Sequence, residues 1–393
     1  MTGPADNALL PAGLRDVLPG DASFEAEIVG RLIGHFTRYG YERVKPPLLE
    51  FEENLLAGSG VGLSGQTFRL MDPDSHRMMA LRPDMTLQVA RIAATRLKNR
   101  PRPLRLSYAG QVLRVKGTQL RPERQFGQVG AELIGATSVE ADTEVILMGI
   151  EALAGAGVER ISVDLGIPTL IPALLAERSL DAETALRLRM ALDRKDAAAV
   201  AALGGALGSS LARIMGALLA AAGPAERALK ALAELDLPPP AAAQRSALTE
   251  VARRVADGIA QIGGETVGLT VDPVENRGFE YHTGVTFTFF AAAVRGELGS
   301  GGRYLAGTGT AAESATGLTL FTDTLLAALP RPTTARRLYL PLAVPAADRR
   351  RLRKEGWTTL AALAAESDPI AAARALDCDH YWRDGKIVPI DKT

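Results

Sequence analysis

Two strand-like runs that follow each other closely constrain the fold of this chain more than any other feature. LRLSYAGQVLRV (104–115) and RQFGQVGAELIG (124–135) are joined only by the polar stretch KGTQLRPE, which predicts an antiparallel pair. TFRLMDPDSHRMMALR (67–82) predicts a second hairpin, with two apolar-alternating runs around Asp72–Ser75. Adjacent strands that return in this way predict an antiparallel sheet with helices packed on it, and not an alternating βαβ fold.

Helical segments surround these strands. Residues 21–40 have an amphipathic pattern that ends at Gly40, and a long helix is predicted for about 139–156 before the strand ISVDLGI. Residues 169–262 are rich in Ala and Leu with helical spacing, and strand-like sequence resumes at VGLTVD. We therefore expect an α+β domain over 1–329 with a helical insertion at about 169–262, and a short α/β module over 330–393.

Composition argues against several classes of function. Lys and Arg equal Asp and Glu at 45 each, whereas a chain that grips a polyphosphate backbone usually has a basic excess. One cysteine and four scattered histidines predict neither a disulfide nor a bound metal. No GxxxxGK[ST] motif is present, and no GxGxxG motif follows a strand. The N-terminus does not resemble a signal peptide and no stretch is apolar enough to span a bilayer, so we expect a cytoplasmic protein.

The segment LRPDMTLQVARI (81–92) places charged residues where an apparent strand gives way to an apparent helix. One interpretation is local, because Pro83 suits a first helical turn and Asp84 there favours the helix dipole. The other is functional: Asp84 and Thr86 lie at the mouth of the sheet and hold the ammonium group of a ligand.

Two further regions carry polar residues in a pattern. Regular strand geometry places Arg124, Gln128 and Glu132 on one face, as either a solvent-facing row or a buried, hydrogen-bonded one. ENRGFEYHTG (275–284) and the glycine-rich GSGGRY (299–304) follow much later in the chain.

Together these segments resemble histidyl-tRNA synthetases in order and spacing. The residues that carry the resemblance are LRPDMT, the paired strands with Arg114 and QVGAE, RGFEYHTG and GSGGRY, and YGYERVKPPLLE is similar to the first class II synthetase motif. The resemblance covers roughly residues 9–329 and implies the class II fold, an antiparallel sheet flanked by helices that is usually dimeric.

The resemblance also implies an amino-acid site. Asp84, Thr86 and Gln128 would surround the α-ammonium of a bound histidine, and Glu132 would accept a hydrogen bond from its imidazole. A guanidinium fork matches a carboxylate, so Arg277 would face the carboxylate of the amino acid, with Tyr281 alongside. Arg114 and His282 complete the predicted set.

The chain departs from the synthetases where ATP would bind. Lys116 stands where the second motif has a glutamate, and Thr324, beside Asp323, stands where the third motif has a phosphate-binding arginine. The glutamate of the amino-acid loop is shortened to Asp84, the second tyrosine is His282, and the anticodon-binding domain is reduced to about sixty residues.

This combination is similar to the regulatory subunits of ATP phosphoribosyltransferase. That family implies no catalytic residue or cofactor in this chain, a short-form catalytic subunit as partner, a dimer of this chain, and histidine as effector. Neither nucleic acid nor membrane is expected as a partner. The alternative is a histidyl-tRNA synthetase, or another amino-acid-activating enzyme, with a truncated tail. A third and weaker interpretation, an RNA-binding protein on the same scaffold, is opposed by the zero net charge and the short tail.

Overall fold

The computed structural model describes residues 10–56, 63–117, 121–176, 180–263, 266–275, 281–307, 309, 312–331 and 336–390. The chain divides into two compact units, Met1–Pro330 and Arg331–Thr393. Each unit has its own sheet and its own apolar core.

Helices occupy much of the first unit. They are α1 (Asp21–Arg38), α2 (Glu52–Leu55), α3 (Thr86–Thr95), α4 (Val139–Ala156), α5 (Leu170–Leu175), α6 (Ala182–Asp193), α7 (Ala197–Ala202), α8 (Gly204–Leu207), α9 (Ser209–Ala221), α10 (Ala225–Ala233), α11 (Pro239–Gln261) and α12 (Thr322–Ala328), with α13 (Ala346–Lys354) and α14 (Pro369–Ala375) in the second unit.

The strands follow the hairpins that the sequence predicts. They are β1 (Glu42–Arg43), β2 (Leu49–Phe51), β3 (Arg69–Met71), β4 (Met78–Leu81), β5 (Leu104–Leu113), β6 (Gln125–Ile134), β7 (Ile161–Gly166), β8 (Gly223–Pro224), β9 (Gly268–Asp272), β10 (His282–Ala291), β11 (Gly299–Ala306) and β12 (Glu313–Phe321), with β13 (Arg337–Leu340), β14 (Thr358–Ala361), β15 (His380–Arg383) and β16 (Lys386–Pro389) in the second unit.

A nine-stranded sheet forms the centre of the first unit, in the order β1-β5-β6-β12-β11-β10-β7-β9-β8. Its middle strands, from β5 to β7, pair antiparallel, whereas β1 with β5 and β7 with β9 are parallel. A smaller antiparallel sheet, β2-β4-β3, contains the predicted hairpin around Asp72–Ser75. The predicted mainly antiparallel α+β architecture is confirmed.

One face of the central sheet is covered by α1 and α4. The apolar face of α1 buries Ile28, Leu32 and Phe36 in the main core, as the helical periodicity predicts. The helix α4 spans the predicted residues and ends at Gly157, whose φ of 104° lies in the left-handed region typical of a glycine C-cap. Since this face is filled with apolar side chains, the polar residues of β6 belong to the opposite face.

Helices α5 to α11 lie between residues 170 and 261, with the two-residue strand β8 among them. They pack into the same core as the sheet, through side chains such as Leu192, Met215 and Val255. The strand β12, which was not identified from the sequence, lies between β6 and β11, and its Gly317 and Thr319 face residues of the site described below.

The second unit is a small α/β fold. Its sheet has the order β14-β13-β15-β16, with β13 parallel to both of its neighbours. Tyr339, Leu340 and Leu352 are fully buried in two small clusters on the faces of this sheet. The arginines of α13 bond largely within the unit: Arg351 pairs with Asp348 and Glu355, and Arg349 donates to the carbonyls of Leu342 and Val344.

Candidate functional site

The polar row predicted on β6 is buried and hydrogen-bonded. Gln128 and Glu132 lie four residues apart on one face of the strand, and their exposed fractions are 0% and 1%. The alternative, a solvent-facing row, is therefore wrong for these two residues, because the Asp84–Met85 segment bonds to Gln128 and the hydroxyls of Tyr108 and Tyr304 bond to Glu132. Arg124 does not join them: it precedes β6 and donates to the carbonyls of Arg114 and Ala12.

Asp84 and Gln128 form the first part of the site. Gln128 Nε2 donates to Asp84 Oδ2 at 2.8 Å, and Gln128 Oε1 accepts from the backbone N–H of Met85 at 3.0 Å. Asp84 Oδ1 accepts from the backbone N–H of Thr86 at 2.8 Å. A carboxylate held in this way keeps a defined orientation and can still accept further hydrogen bonds, because each oxygen has two lone pairs.

The helix after this segment begins later than expected. The structure starts α3 at Thr86, so Pro83 and Asp84 precede the first helical turn and do not lie within it. Asp84 therefore lies just before the first turn, and its carboxylate still accepts from the N–H of Thr86, the first residue of α3. The hydrogen bond from Met85 to Gln128 holds the segment against β6 before the helix starts.

Glu132 forms the second part of the site. Its Oε1 accepts from the hydroxyl of Tyr108 at 3.0 Å, and its Oε2 accepts from the hydroxyl of Tyr304 at 2.9 Å. Burial raises the pKa of Glu132 to about 8, although both tyrosine hydroxyls oppose that shift. Glu132 therefore exchanges a proton near neutral pH and can either accept or donate a hydrogen bond there.

Tyr108 connects the two parts. Its hydroxyl lies 3.1 Å from Thr86 Oγ1 and 2.8 Å from Thr319 Oγ1, in addition to its bond with Glu132. Tyr108 is fully buried, and a buried tyrosine hydroxyl normally has a partner of this kind. Sequence reasoning missed Tyr108, Thr319 and Tyr304 as members of the site. The only available signal was Tyr304 in GSGGRY, because the partners of Tyr108 depend on strand register.

Tyr281 and His282 lie beside the Glu132 end. Their ring centroids are 4.0 Å apart, and Tyr281 makes an edge contact with Tyr304 at 6.3 Å. Desolvation raises the pKa of the Tyr281 hydroxyl, and the charges of Asp84 and Glu132 raise it further. The structure thus brings both residues to the site. The predicted carboxylate partner Arg277 lies outside the described residues.

Gly317 on β12 is opposite Glu132. A Cβ added to Gly317 would lie 1.8 Å from Glu132 Oε2, far inside van der Waals contact. Glycine is therefore required here, because the Glu132 carboxylate occupies the space that a side chain would take.

Arg114 lies next to Asp84 without forming part of its hydrogen bonds. Its Nε donates to the carbonyl of Pro83 at 3.4 Å, and its guanidinium lies 5.0 Å from the centroid of the Phe126 ring. Burial lowers the pKa of Arg114, while the nearby carboxylate of Asp84 acts in the opposite direction.

A second arginine, Arg121, is paired with carboxylates of the same chain. Arg121 Nε lies 2.9 Å from Asp323 Oδ2, and Arg121 Nη1 lies 3.7 Å from Glu297 Oε1. The Arg121 guanidinium also lies 3.8 Å from the centroid of the Phe321 ring. The sequence shows Asp323 beside the position of the missing phosphate-binding arginine, but it gave no sign that Asp323 would pair with Arg121.

Thr324 also bonds to a group of the chain itself. Its hydroxyl donates to the carbonyl of Glu297 at 2.8 Å, within the first turn of α12. Thr324 is 9% exposed, so this position holds a short hydroxyl that fastens α12 to the segment before β11.

Within the described ranges, no group of three or more His, Cys, Asp or Glu side chains could hold a metal ion. Across the same part of the chain, every helix falls short of the length and apolar character that a bilayer crossing requires.

Comparisons with known proteins identify the family of this chain. The sequence model of the histidyl-tRNA synthetase family matches residues 13–325. The ATP phosphoribosyltransferase regulatory subunit of Paramagnetospirillum magneticum is 57% identical over 391 residues, covering 100% of both chains. The regulatory subunit of Rhodospirillum centenum is also 57% identical, covering 98% of this chain and 96% of that protein.

Solved structures give the same fold. A Bacillus halodurans protein described as an ATP phosphoribosyltransferase regulatory subunit/histidyl-tRNA synthetase superposes with a TM-score of 0.77 at 26% identity, covering 95% of this chain and 96% of that one. Histidyl-tRNA synthetase from Nostoc superposes with a TM-score of 0.77 at 17% identity, over 95% and 91% of the chains, which supports the fold alone. Full-length relatives at this identity, together with the class II synthetase fold, show that this chain belongs to the family of ATP phosphoribosyltransferase regulatory subunits.

Proposed function

We propose that this chain is a non-catalytic regulatory subunit that activates a short-form catalytic subunit of ATP phosphoribosyltransferase, in the first step of histidine biosynthesis. We further propose that it binds histidine and transmits feedback inhibition to that partner. The observation that carries the proposal is a contrast within one sheet. At one end, which we call the amino-acid end, Asp84, Gln128 and Glu132 belong to a connected hydrogen-bond network. At the other end, the cation Arg121 is already paired with Asp323.

The amino-acid end fits the two polar groups of histidine that the described residues can reach. Asp84 is held by Gln128 and offers a carboxylate to an ammonium group, and the Thr86 hydroxyl lies close by. Glu132, with a pKa raised to about 8, suits an imidazole, because both groups exchange protons near neutral pH. We propose Arg277 for the carboxylate of the ligand, with Arg114, Tyr281 and His282 around it.

The other end is poorly suited to a triphosphate. An anion that approached Arg121 would have to displace Asp323 and would meet the charge of Glu297 nearby. Thr324 supplies a hydroxyl that is already bonded to the carbonyl of Glu297 and carries no charge. We infer that the adenylation chemistry of the synthetases is lost, and we assign no catalytic residue and no cofactor to this chain.

Feedback then requires only a difference in histidine affinity between two states of the complex. A coupling free energy of about 1–3 kcal/mol, typical of allosteric proteins, changes affinity or activity about five- to 150-fold. The same difference acts in both directions, so substrates that favour the active state weaken histidine binding.

The setting of this subunit is also a proposal. We place it in the cytoplasm, in a complex with the catalytic subunit, as a dimer that uses the first class II motif, residues 39–50. We regard the unit Arg331–Thr393 as the remnant of an anticodon-binding module, with neither nucleic acid nor membrane as its partner.

Reconstitution tests the proposal. The short catalytic subunit is assayed for ATP- and phosphoribosyl-pyrophosphate-dependent turnover with and without this chain, and the assay is repeated at rising histidine concentrations. We expect activation by the wild-type chain, suppressed by histidine. Asp84→Asn is expected to activate normally and to need about ten- to a hundredfold more histidine for suppression, since it loses a charge-assisted contact of about 1.5–3 kcal/mol.

A matched control is Asp257→Asn, which changes an exposed carboxylate paired with Arg253 on α11. It should behave as wild type in both assays. No activation by any form of this chain would refute the regulatory function, and equal histidine sensitivity of Asp84→Asn and wild type would refute the effector site.

The alternative function, histidine activation by a synthetase-like enzyme, is favoured by one observation. Arg114 remains at the end of β5 next to the Asp84 loop, where a class II enzyme has a cation. Histidine-dependent exchange of pyrophosphate into ATP separates this alternative from the regulatory function.

A further inference from the structure

Arg82 is a buried cation just before the segment that carries Asp84. It is 6% exposed, and its side chain donates to carbonyl oxygens of two other chain segments. Its Nε donates to the carbonyl of Gln111 in β5 at 2.8 Å. Its Nη1 donates to the carbonyl of Pro46 at 3.0 Å and lies 3.4 Å from that of Pro47.

The surroundings of Arg82 are built around its guanidinium. A Cβ added to Gly110 would lie 2.4 Å from Arg82 Nη2, so the guanidinium occupies space that any other residue at 110 would fill. Gln88, which is 1% exposed, donates from Nε2 to the carbonyl of Pro47 at 2.8 Å, and its Oε1 accepts from Arg82 Nη1 at 3.5 Å. Two buried side chains, one before α3 and one within it, thus bind the same Pro46–Pro47 segment.

The backbone of Arg82 is fixed on both sides as well. Its N–H donates to the carbonyl of Leu48 at 3.2 Å, and its carbonyl accepts from the N–H of Leu113 at 3.1 Å. Two residues later Asp84 begins the network with Gln128 and Thr86. Gln128 thus bonds directly to the Asp84 carboxylate, and the bonds of Arg82 fix the chain two residues before it.

Burying this cation among carbonyl oxygens is costly, because dipoles replace hydration less completely than a carboxylate does. Burial accordingly lowers the pKa of Arg82 below its ordinary value. An apolar side chain would avoid this cost but could not bind two segments at once. Such a side chain would lack the directional hydrogen bonds of the guanidinium fork.

We propose that Arg82 is a positioning residue for the effector site. By binding the carbonyls of Pro46 and Gln111, it holds the Asp84–Thr86 segment so that the carboxylate of Asp84 meets the ammonium group of the ligand. The identity of the ligand rests on the function proposed above, whereas the positioning of the segment does not.

A ligand series tests the role of Arg82 in binding. The wild type, Arg82→Lys and Gln88→Met are titrated with histidine, with histamine and with imidazolepropionate, which lacks the ammonium group. In Arg82→Lys we expect histidine and histamine to bind about tenfold more weakly, the size of one displaced charge-assisted contact. Imidazolepropionate should bind as it does to wild type, because it does not contact Asp84. Gln88→Met should show the same selectivity with a smaller change.

The matched control is Arg91→Gln. Arg91 lies on α3 and ion-pairs with Glu50 of β2, so it also ties this helix to a neighbouring segment, but it does not contact Pro46, Pro47 or Gln111. It should leave the affinities of all three ligands unchanged. An Arg82→Lys variant that binds histidine as tightly as wild type, or that weakens all three ligands by one common factor, would overturn the proposal.

Hydrogen exchange tests positioning without any ligand. The amides of Met85 and Thr86, which donate to Gln128 and Asp84, should exchange about tenfold faster in Arg82→Lys than in wild type, while amides of β6 keep their rates. Unchanged exchange at these two amides would contradict the proposal. If wild type binds none of the three ligands, the proposed effector function fails, and this exchange measurement alone decides the role of Arg82.

Discussion

Arg121 and Asp323, 202 residues apart in the chain, form an ion pair of 2.9 Å at the end of the sheet that lies beyond the amino-acid network. Both side chains are largely buried, with exposed fractions of 9% and 11%. A pair in such a position matters in two ways. The carboxylate of Asp323 pairs with a guanidinium that could otherwise bind a phosphate. Removal of either partner would leave the other as a buried charge without this compensation and would destabilise the fold.

The first prediction concerns the contribution of the Arg121–Asp323 pair to the free energy of unfolding. Asp323→Asn removes the 2.9 Å partner of the buried Arg121 guanidinium, whose contact with Glu297 is longer, at 3.7 Å. We expect the free energy of unfolding to fall by about 3 kcal/mol, the lower end of the range for breaking a buried pair. Equilibrium urea unfolding measures the change. The control Asp257→Asn, which removes an exposed pair with Arg253, should cost about 0.5 kcal/mol or less.

The double variant Arg121→Met with Asp323→Leu refines this prediction. Replacing both charges by apolar groups removes the desolvation cost together with the attraction, so most of the lost stability should return. If Asp323→Asn is as stable as wild type, the pair does not neutralise Arg121 in solution.

The second prediction concerns the pH dependence of stability. The pKa of Glu132 is raised from 4.5 to about 8 in the folded protein. Between these two values the unfolded chain loses the Glu132 proton while the folded chain keeps it. The stabilisation relative to Glu132→Gln is therefore fully present below about pH 4.5 and is lost as pH rises toward 8.

The difference in unfolding free energy between wild type and Glu132→Gln should fall by about 1.4 kcal/mol per pH unit within that window. Urea unfolding of both proteins from pH 5 to pH 8 measures it, and groups common to both cancel. A difference that is constant over this range, or that rises with pH, would show that the Glu132 carboxyl is not held protonated.

The third prediction concerns the space opposite Glu132. In Gly317→Ala the new Cβ collides with Glu132 Oε2 and lies 2.8 Å from the carbonyl of Ala131, so the carboxylate must move. We expect a loss of about 1–3 kcal/mol of stability, typical of overpacking, and a marked loss of histidine affinity in calorimetry.

Gly216→Ala is the matched control for this substitution. Gly216 lies inside α9, and a Cβ there would meet nothing within 4 Å. Alanine should therefore stabilise the helix by about 0.5–1 kcal/mol without changing histidine binding. Tight histidine binding by Gly317→Ala would exclude Glu132 from the effector site.

The fourth prediction compares two tyrosines that each donate to a glutamate. Tyr108 donates to Glu132 inside the site, whereas Tyr39 donates to Glu151 at 2.7 Å between α1 and α4. Tyr108→Phe and Tyr39→Phe should each lose about 1–3 kcal/mol of stability, since each leaves a charged or polar partner without its donor. Only Tyr108→Phe should reduce histidine affinity, by about tenfold.

Calorimetric titration of histidine into both variants provides the measurement. Equal affinities of Tyr108→Phe and wild type would mean that the link between Thr86 and Glu132 has no part in binding. A loss of affinity in Tyr39→Phe would mean that the effect of such substitutions is a general one.

The sequence predicted those parts of the fold that depend on the spacing of polar and apolar residues or on a short connection between neighbouring strands. The even spacing of Gln128 and Glu132 predicted a shared face, and the short connector predicted the β5–β6 pair. The strand β12 was missed, although it lies next to β6, because the segment Glu313–Phe321 was considered only as the approach to its following helix.

Contacts that depend on register or on distant pairing could not be derived in this way. Tyr108 reaches Thr319 across β6, and Arg121 reaches Asp323 through the folding of the whole first unit. The start of α3 was misjudged because a tertiary hydrogen bond from Met85 to Gln128 overrides the local preference of Pro83 for a first helical turn.

We propose that this chain keeps the amino-acid site, whereas its own residues occupy the place of a triphosphate site. The decisive experiment is histidine-dependent exchange of radiolabelled pyrophosphate into ATP, at a histidine concentration that saturates binding in calorimetry. We expect exchange no greater than that of a protein-free blank. Exchange that requires histidine and is abolished by Arg114→Ala would contradict it, because the chain would then be an amino-acid-activating enzyme.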